Sequence, residues 1–252
     1  MPVPRPYPFE LLLAGVAPAT VLLASDFDGT LSPIVDRPER ARALPAALDA
    51  LRRLVPKLGR LLIVSGRSNV DLQRFLPIEG LDLRGDYGLG LPTAEELSAL
   101  ESVSTELGEF LGRHPGTWLE RKPGSMTVHY RDTPAAAAEV SSQVKSVAAA
   151  RGLRARDGRM VVELMPERAD KAASLGAEVR AFDPAAVIFA GDDTGDRGCF
   201  ELVATLPLPH LAVGVRSPEA DPAIFERCDL VVEGPPAWAD LLTQLADWAD
   251  RH

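Results

Sequence analysis

Short runs of apolar residues alternate along the chain with longer segments in which apolar residues recur at helical spacing. Val21–Ser25 and Leu61–Val64 are such runs, and Pro45–Leu54 between them has helical spacing with proline at its start. After residue 165 the alternation resumes, with strands expected at 186–190, 211–215 and 231–232, and helices at 170–182, at 194–204 and around Trp238–Leu245. Continuous apolar strands separated by helices predict a parallel sheet covered on both faces.

The middle of the chain has a different pattern, in which strands follow one another through turns. We expect strands at 117–119, 126–130, 153–155 and 160–164, turns at Lys122–Gly124 and Arg156–Arg159, and an alanine-rich helix at 135–150. Strand–turn–strand segments inside a βαβ pattern indicate an inserted α+β domain. The sequence therefore predicts an α/β core formed by residues 1–91 and 165–252, and an inserted domain at residues 92–164.

Charge and cysteine content exclude several classes of protein. The 252 residues include 36 acidic and 27 basic side chains, for a net charge of -9. Because an acidic surface repels polyanions, we expect no nucleic-acid partner and no binding to an anionic membrane surface. Cys199 and Cys228 are too few for a disulfide framework or a cysteine-rich metal site. These features favour a cytoplasmic protein with two reduced thiols, and we expect a monomer.

The N-terminal apolar stretch is too short and too interrupted to cross a bilayer. Pro18 and Thr20 break the run Leu11–Ala24, which falls short of the roughly 20 apolar residues that a membrane-spanning helix requires. A secretory signal peptide is an alternative, since Ala17–Ala19 resembles a small-residue cleavage site. The proline-rich leader before it is a poor signal sequence, and Phe9–Val16 is equally compatible with a short helix packed on the core.

Two carboxylates follow the first predicted strand directly. Asp26 and Asp28, in the segment Asp-Phe-Asp-Gly-Thr, are expected at the carboxyl edge of the sheet, where ligands of α/β folds bind. A simple Asp-Gly turn would leave their crowding unexplained, because neighbouring carboxylates raise each other's pKa unless a cation or a proton transfer uses them. This segment resembles the first motif of the haloacid dehalogenase-like superfamily of aspartate-nucleophile phosphatases.

Three further segments match that superfamily in order. Ser65 ends the second strand, where it could donate to a phosphate oxygen or cap a helix. Lys171 lies in the first turn of a helix, where its charge opposes the helix dipole unless an anion is near. Gly191–Asp196 holds three carboxylates at a strand end, an oxygen-rich set suited to Mg²⁺.

The resemblance implies a Rossmann-like core with a C2-type cap and a two-step phosphoryl transfer. Asp26 would be the nucleophile and Asp28 the general acid and base. Asp26, the main-chain carbonyl of Asp28, and Asp192 would hold Mg²⁺, while Ser65 and Lys171 would bind the phosphoryl oxygens.

A narrower resemblance covers about residues 20–215. It rests on five segments of the chain: Glu120-Arg121-Lys122, His129-Tyr130-Arg131, Val161–Leu164, Lys171, and Gly191–Asp196 with Phe200 beyond. Together they resemble the trehalose-6-phosphate phosphatase family, in which Glu120, Lys122 and Glu163 would hydrogen-bond sugar hydroxyls. Arg67 is assigned to substrate binding as well, and His129 is expected to be a packed strand residue. The implied partner is a small-molecule sugar phosphate.

The chain departs from that family at two places. Tyr87-Gly88-Leu89-Gly90 stands where the family usually has His-Gly-x-Glu, and Gly195 precedes Asp196 where a bulkier residue is usual. Two alternatives to trehalose 6-phosphate hydrolysis therefore stay open. One is a phosphatase for another glycosyl phosphate, such as a glycosyl-phosphoglycerate or sucrose phosphate, and the other is a catalytically silent sugar-phosphate sensor.

Overall fold

The computed structural model describes residues 7–89, 92–158, 160–217 and 220–252. The chain divides into two compact units, which we call the core unit (Met1–Ser65, Asn69–Arg84 and Lys171–His252) and the inserted unit (Gly66–Ser68 and Gly85–Asp170). The domain predicted at residues 92–164 lies inside the longer segment of the inserted unit, Gly85–Asp170. That this unit selects the substrate stays a prediction.

Both units combine helices and strands. The described helices are α1 (Phe9–Leu12), α2 (Pro45–Leu54), α3 (Asn69–Phe75), α4 (Ala94–Leu111), α5 (Ala137–Ala149), α6 (Lys171–Phe182), α7 (Arg197–Val203) and α8 (Gly234–Arg251). The described strands are β1 (Val21–Ser25), β2 (Arg60–Val64), β3 (Asp82–Arg84), β4 (Trp118–Arg121), β5 (Met126–His129), β6 (Leu153–Gly158), β7 (Val161–Pro166), β8 (Ala186–Gly191), β9 (His210–Arg216) and β10 (Leu230–Glu233).

The core unit is built on a parallel sheet. Among the described residues its order is β10-β9-β8-β1-β2-β3, with β1 at the centre between β8 and β2. All five residues of β1 are buried, because apolar clusters cover both faces of the sheet: α2 and α8 contribute to one cluster, and α6 and α7 to the other. The predicted parallel sheet, covered on both faces, is confirmed. Since parallel strands end at the same edge, the residues after β1, β2 and β8 lie at one edge of the sheet.

The inserted unit is built on an antiparallel sheet of order β4-β5-β7-β6 among the described residues. Leu119, Val128, Val162 and Leu164 alternate along the strands with polar residues and pack in one cluster with α4 and α5. The opposite face of this sheet carries a row of polar residues, Glu120, Thr127, Glu163 and Arg156, in cross-strand register. We call it the polar face.

Several predicted boundaries were wrong. The helix predicted from Thr194 begins at Arg197, because Asp193–Asp196 fold into a turn closed by a hydrogen bond from the Asp196 amide to the Asp193 carbonyl (3.0 Å). The predicted turn at Arg156–Arg159 is also wrong, since β6 continues through Arg156 to Gly158; Arg159 lies outside the described residues. Neither α3 nor α4 was predicted from the pattern of apolar residues.

Within the described part of the chain, no helix is both long enough and apolar enough to pass through a membrane.

Candidate active site

Asp26 occupies a rigid position directly after β1. Its amide donates to the Ala190 carbonyl of β8 (2.9 Å), and its own carbonyl accepts from the Ser25 hydroxyl (2.8 Å). The Trp238 indole of α8 donates in turn to the Ser25 hydroxyl (3.3 Å). Asp26 is only 3% exposed. Hydrogen bonds to its amide and to its carbonyl therefore fix the main chain of Asp26, and with it a buried carboxylate, at the carboxyl edge of the parallel sheet.

Lys171, the first residue of α6, lies between two carboxylates. Its Nζ is 2.9 Å from Asp26 Oδ1 and 2.8 Å from Asp196 Oδ1, and the side chain is buried. Burial alone would lower the pKa of Lys171, but the charges of Asp196 and Asp26 raise this pKa well above its ordinary value. Lys171 is therefore a fixed ammonium group at the start of a helix, next to the predicted nucleophile.

The Asp196 carboxylate organises the loop after β8. Oδ1 accepts from Lys171, and Oδ2 accepts from the amides of Asp192 (2.9 Å) and Asp193 (3.2 Å). A Cβ at Gly191 would overlap this carboxylate, so glycine is needed there. In the sequence, Asp196 is recognisable only as one of three acidic residues after the predicted strand. Their spacing signals an oxygen-rich site, but it does not reveal which carboxylate binds the lysine.

Three carboxylates in the core unit could approach one cation. Oxygens of Asp26, Asp192 and Asp196 all lie within 4.8 Å of one another. The predicted set was Asp26, Asp28 and Asp192; because both oxygens of Asp196 already accept hydrogen bonds, we retain Asp26 and Asp192 as the ligand carboxylates. The main-chain carbonyl of Asp28 stays a predicted ligand.

Local backbone geometry brings Asp192 close to the first motif. Gly29 adopts a φ of +78°, and a Cβ there would overlap the Asp192 carboxylate. The Thr30 hydroxyl donates to Asp192 Oδ1 (3.4 Å). Carboxylate oxygens are the ligands that hard divalent cations prefer, so the residues present fit a metal ion.

The charge balance around Asp26 also favours a cation. Burial is the largest influence and raises the pKa of Asp26 to about 8. Lys171 opposes this rise, whereas Asp196, Asp193 and Asp28 add to it. A cation bound among these carboxylates would favour the ionised form of Asp26, which is the form that a nucleophile requires.

Ser65 follows β2 at the same sheet edge as Asp26, because β1 and β2 pair in parallel. It is buried, and its amide donates to the Arg84 carbonyl (3.0 Å), so β3 supports this turn. The structure thus places all the predicted residues of the core unit, Asp26, Asp28, Ser65, Lys171 and Asp192, at the ends of strands or at the start of a helix, and it joins Asp26 directly to Lys171.

In the inserted unit, the structure places Glu120 on β4 among positive and aromatic groups. Its Oε2 is 2.9 Å from His129 Nε2, and the His129 ring stacks on Trp118 with centroids 3.8 Å apart. Burial raises the pKa of Glu120, but the hydrogen bond with His129 and the charges of Lys122 and Arg67 lower it below the ordinary value. His129 packs in its strand as expected, and the structure adds its bond to Glu120.

The other predicted substrate residues of the inserted unit have distinct partners. Lys122 Nζ donates to the Gly66 carbonyl (3.1 Å). Arg67, the residue that follows Gly66, is buried. Glu163 Oε2 accepts from Arg156 Nη2 (2.8 Å). Lys122 and Arg67 are close enough to Glu120 to lower its pKa, whereas Glu163 lies two strands from β4.

Arg156 contacts both Glu163 and Tyr87, the first residue of the segment in which the chain differs from the family pattern. The Arg156 guanidinium lies 4.7 Å from the centroid of the Tyr87 ring. Tyr87 is buried at a φ of +60°, and a Cβ at Gly66 would overlap its phenol group. Gly90, the last residue of that segment, lies outside the described residues. Gly195, the second departure, donates its amide to Asp193 Oδ1 (2.8 Å).

Comparison with known proteins finds several relatives described as trehalose-phosphate phosphatases. The chain is 30% identical over 261 residues to a trehalose-phosphate phosphatase of Mycobacterium avium (strain 104), covering 95% of this chain and 64% of the relative. It is 33% identical over 212 residues to a Mycobacterium tuberculosis protein described as an uncharacterized glycosyl hydrolase, covering 76% of this chain and 16% of that protein. The chain therefore spans less than two thirds of the length of these curated relatives.

Solved structures share the fold. The C-terminal domain of Candida albicans trehalose-6-phosphate phosphatase matches with a TM-score of 0.77 at 21% identity, covering 96% of this chain and 97% of that one. A trehalose-6-phosphate phosphatase related protein matches with a TM-score of 0.75 at 21% identity, covering 91% and 99%. At this level of identity the likeness concerns the fold.

A haloacid dehalogenase-like hydrolase from Bacteroides thetaiotaomicron also matches, with a TM-score of 0.57 at 15% identity, covering 91% of this chain and 98% of that one. The parallel sheet with carboxylates after β1 and β8, in a chain interrupted by an α+β unit, therefore has the fold of haloacid dehalogenase-like hydrolases. The sequence profile of the trehalose-phosphatase family matches residues 24–221, which is most of the chain. The chain belongs to the trehalose-phosphatase family.

Proposed function

We propose that the protein hydrolyses trehalose 6-phosphate to trehalose and inorganic phosphate. The observation that carries the proposal is the buried Asp26 carboxylate, fixed after β1 and 2.9 Å from a buried lysine. In such a pair, the carboxylate can attack a phosphorus atom while the ammonium group binds the oxygens of the same phosphoryl group. Membership of the trehalose-phosphatase family supports the reaction, and the name of the Mycobacterium avium relative supports the substrate.

Mg²⁺ is the proposed cofactor. Asp26, the main-chain carbonyl of Asp28, and Asp192 would hold it, and when bound it would supply positive charge that reduces repulsion between the Asp26 carboxylate and the phosphoryl oxygens.

The reaction has two chemical steps, in which Asp26 and Asp28 have different roles. An Asp26 oxygen forms a bond to phosphorus as the bond to the sugar oxygen breaks, and Asp28 gives its proton to that leaving oxygen. Asp28, now ionised, accepts a proton from a water molecule, whose oxygen attacks the phosphorus of the aspartyl-phosphate. Phosphate leaves, and Asp26 returns as a carboxylate. One side chain is the nucleophile and the other carries the proton in both steps.

Ser65, Lys171 and the amides after Asp28 would stabilise the phosphoryl oxygens in each transition state. Asp196 serves this step indirectly, because it accepts from Lys171 and from two loop amides and so fixes the position of the ammonium group. We regard Asp196 as a positioning residue.

Recognition of the sugar is assigned to the inserted unit. Glu120, Lys122 and Glu163 would hydrogen-bond sugar hydroxyls, which both donate and accept, and Arg67 would contribute a further donor. His129 would hold Glu120 in an ionised form with a defined orientation.

A second candidate is hydrolysis of a different glycosyl phosphate. One observation favours it: Arg156 pairs with Glu163 and stacks on Tyr87, so one predicted sugar-binding carboxylate already carries a cation partner. A silent sensor is disfavoured, since binding alone would not require Asp26, Asp28, Lys171 and Asp192 together. A cytoplasmic location and a monomeric state stay predictions.

The test is a phosphate-release panel on the purified protein, with and without Mg²⁺. We expect trehalose 6-phosphate to give the highest kcat/KM, and chelator to abolish turnover. A higher kcat/KM for sucrose phosphate or a glycosyl-phosphoglycerate would establish the second candidate, and no metal-dependent phosphate release from any of them would contradict both.

A further inference from the structure

The polar face contains a register row that crosses all four described strands of the inserted sheet. Glu120 of β4 pairs with Thr127 of β5, Thr127 with Glu163 of β7, and Glu163 with Arg156 of β6. Side chains directly opposite each other on one face of an antiparallel sheet have Cβ atoms about 5 Å apart. Thr127 therefore lies between the two carboxylates that we assign to sugar binding.

The Thr127 hydroxyl is a buried polar group that has no partner among the described residues. The residue is 4% exposed, and within the described part of the chain its Oγ1 makes no hydrogen bond. A buried hydroxyl that lacks a partner is destabilising, whereas valine, of nearly the same shape, would fill this strand position without that loss. Hydrogen bonding with a ligand would account for threonine here.

A second donor on the same face also lacks a partner within the part of the chain that the structure describes. Arg154 Nε is buried and makes no hydrogen bond to the described residues, and the contact found for its Nη2 is with the weakly accepting sulfur of Met165 (3.9 Å). Arg154 and Met165 are register partners in the row next to that of Thr127. Arg156, two residues along β6, differs because Glu163 satisfies it at 2.8 Å. The unpaired donors thus occupy neighbouring rows of one surface.

This set of groups matches the chemistry of a sugar. The hydroxyl of Thr127 can donate and accept, Arg154 can only donate, and Glu120 and Glu163 can only accept when ionised. Each hydroxyl of a sugar can both donate and accept, so one sugar can use donors and acceptors on the same protein surface. We propose that Thr127 is a further specificity-determining residue, whose hydroxyl binds a substrate sugar hydroxyl between those bound by Glu120 and Glu163. This inference rests on the proposed function, since it assumes a sugar phosphate as substrate.

The experiment compares Thr127→Val, which removes the hydroxyl at constant shape, with Thr127→Ser, which keeps it. The control is Thr105→Val on α4, because Thr105 is exposed and its hydroxyl donates to the Glu101 carbonyl of its own helix (3.1 Å). For each protein, kcat/KM is measured with the best sugar phosphate of the panel and divided by kcat/KM with a small aryl phosphate. The division cancels any difference in the amount of active enzyme.

We expect Thr127→Val to lower this ratio about tenfold, the effect of one neutral hydrogen bond, mainly through KM. Thr127→Ser should stay within about threefold of wild type, and Thr105→Val should match wild type. A second readout uses free trehalose, which should raise the melting temperature of the wild type more than that of Thr127→Val.

The outcomes separate the inference from the proposed function. If trehalose 6-phosphate is hydrolysed and Thr127→Val keeps the wild-type ratio, the hydroxyl binds water or nothing; the inference is then wrong and the function stands. If another sugar phosphate is the best substrate and Thr127→Val lowers its ratio, the inference stands and the named substrate is wrong. If no sugar phosphate is preferred over the aryl phosphate, both are overturned.

Discussion

Replacing Asp196 with asparagine tests how the core unit holds its lysine. The Asp196 carboxylate accepts from the Lys171 ammonium at one oxygen and from two backbone amides at the other. Asparagine has the same shape but only one oxygen. Whichever way the amide turns, its NH₂ group faces a donor, either the ammonium or the two backbone N–H groups. We therefore expect Asp196→Asn to be nearly as damaging as Asp196→Ala.

The magnitude follows from burial. Lys171 is 4% exposed and Asp196 is 0% exposed, so water cannot replace the lost partner. Removing one member of a buried charge pair typically costs about 3–5 kcal/mol, and because Asp26 remains as a second partner of Lys171 (2.9 Å), we expect the lower end of this range. For a chain of this size, each kcal/mol lowers the melting temperature by about 2–4 °C, so Asp196→Asn should melt about 6–12 °C below the wild type. Because Lys171 would lose the carboxylate that orients it beside Asp26, we also expect kcat to fall by about 10² or more.

Calorimetric melting and phosphate release measure the two effects on the same samples. Asp193→Asn is the matched control, since asparagine keeps the Oδ1 acceptor to which the Gly195 amide donates (2.8 Å). This control should lose much less stability than Asp196→Asn. An Asp196→Asn protein that melts within 2 °C of the wild type and keeps its kcat would refute the account of how Lys171 is positioned.

Three further predictions concern the metal, the sugar and the inserted unit. EDTA should inactivate the protein, Mg²⁺ should restore it, and Asp192→Asn should raise the Mg²⁺ concentration needed for half-maximal rate; full activity in chelator would exclude a metal-dependent reaction. Three substitutions should each lower kcat/KM for trehalose 6-phosphate by about 10², and by much less for a small aryl phosphate: Glu120→Ala, Lys122→Ala and Glu163→Ala. Parallel losses on both substrates would instead indicate damage to the fold. Arg168 and the Thr93 amide lower the pKa of Glu96 to about 2, and because this folded-state pKa lies below the ordinary 4.5, the stabilisation is complete above pH 4.5 and is lost as the pH falls towards 2. Glu96→Gln should therefore lower the free energy of unfolding by about 1 kcal/mol at pH 7, with a smaller difference below pH 4.5, whereas Glu95→Gln should have little effect at either pH.

Strands that are buried on both faces were predictable from sequence, because their apolar runs are continuous. The predicted Val21–Ser25 matches β1, and the predicted Leu61–Val64 matches β2 to within one residue. By contrast, β3 (Asp82–Arg84) is three residues long and half-buried, with charged residues at both ends. Such a strand carries no apolar run, so only its parallel pairing with β2 reveals it.

The long helix α4 was missed although the sequence contains its start signal. Thr93 and Glu96 form a capping box, in which the Thr93 hydroxyl accepts from the Glu96 amide and the Glu96 carboxylate accepts from the Thr93 amide. Threonine followed three residues later by glutamate, before apolar residues at helical spacing, predicts this helix start. The start of α4 is therefore encoded in its capping residues rather than in an apolar run.

In the candidate site, the identities of the core residues could be predicted, but their partners could not. Asp26 and Asp192 each follow an apolar run that predicts a parallel strand. Their place at one edge of the sheet could therefore be predicted from the sequence pattern alone. The bond between Lys171 and Asp196 depends on the fold of the loop after β8, and the pairing of Arg156 with Glu163 depends on strand register in the inserted unit. Neither contact has a local sequence signal.

The most direct test of the central claim is phosphate release from trehalose 6-phosphate by wild type and Asp26→Asn, measured side by side at saturating Mg²⁺. An amide is a poor nucleophile and a weaker metal ligand, so the account predicts turnover by the wild type and no detectable turnover by the variant. Turnover by Asp26→Asn above a few per cent of the wild-type rate, in a protein that melts as the wild type does, would place the nucleophile elsewhere and contradict the account.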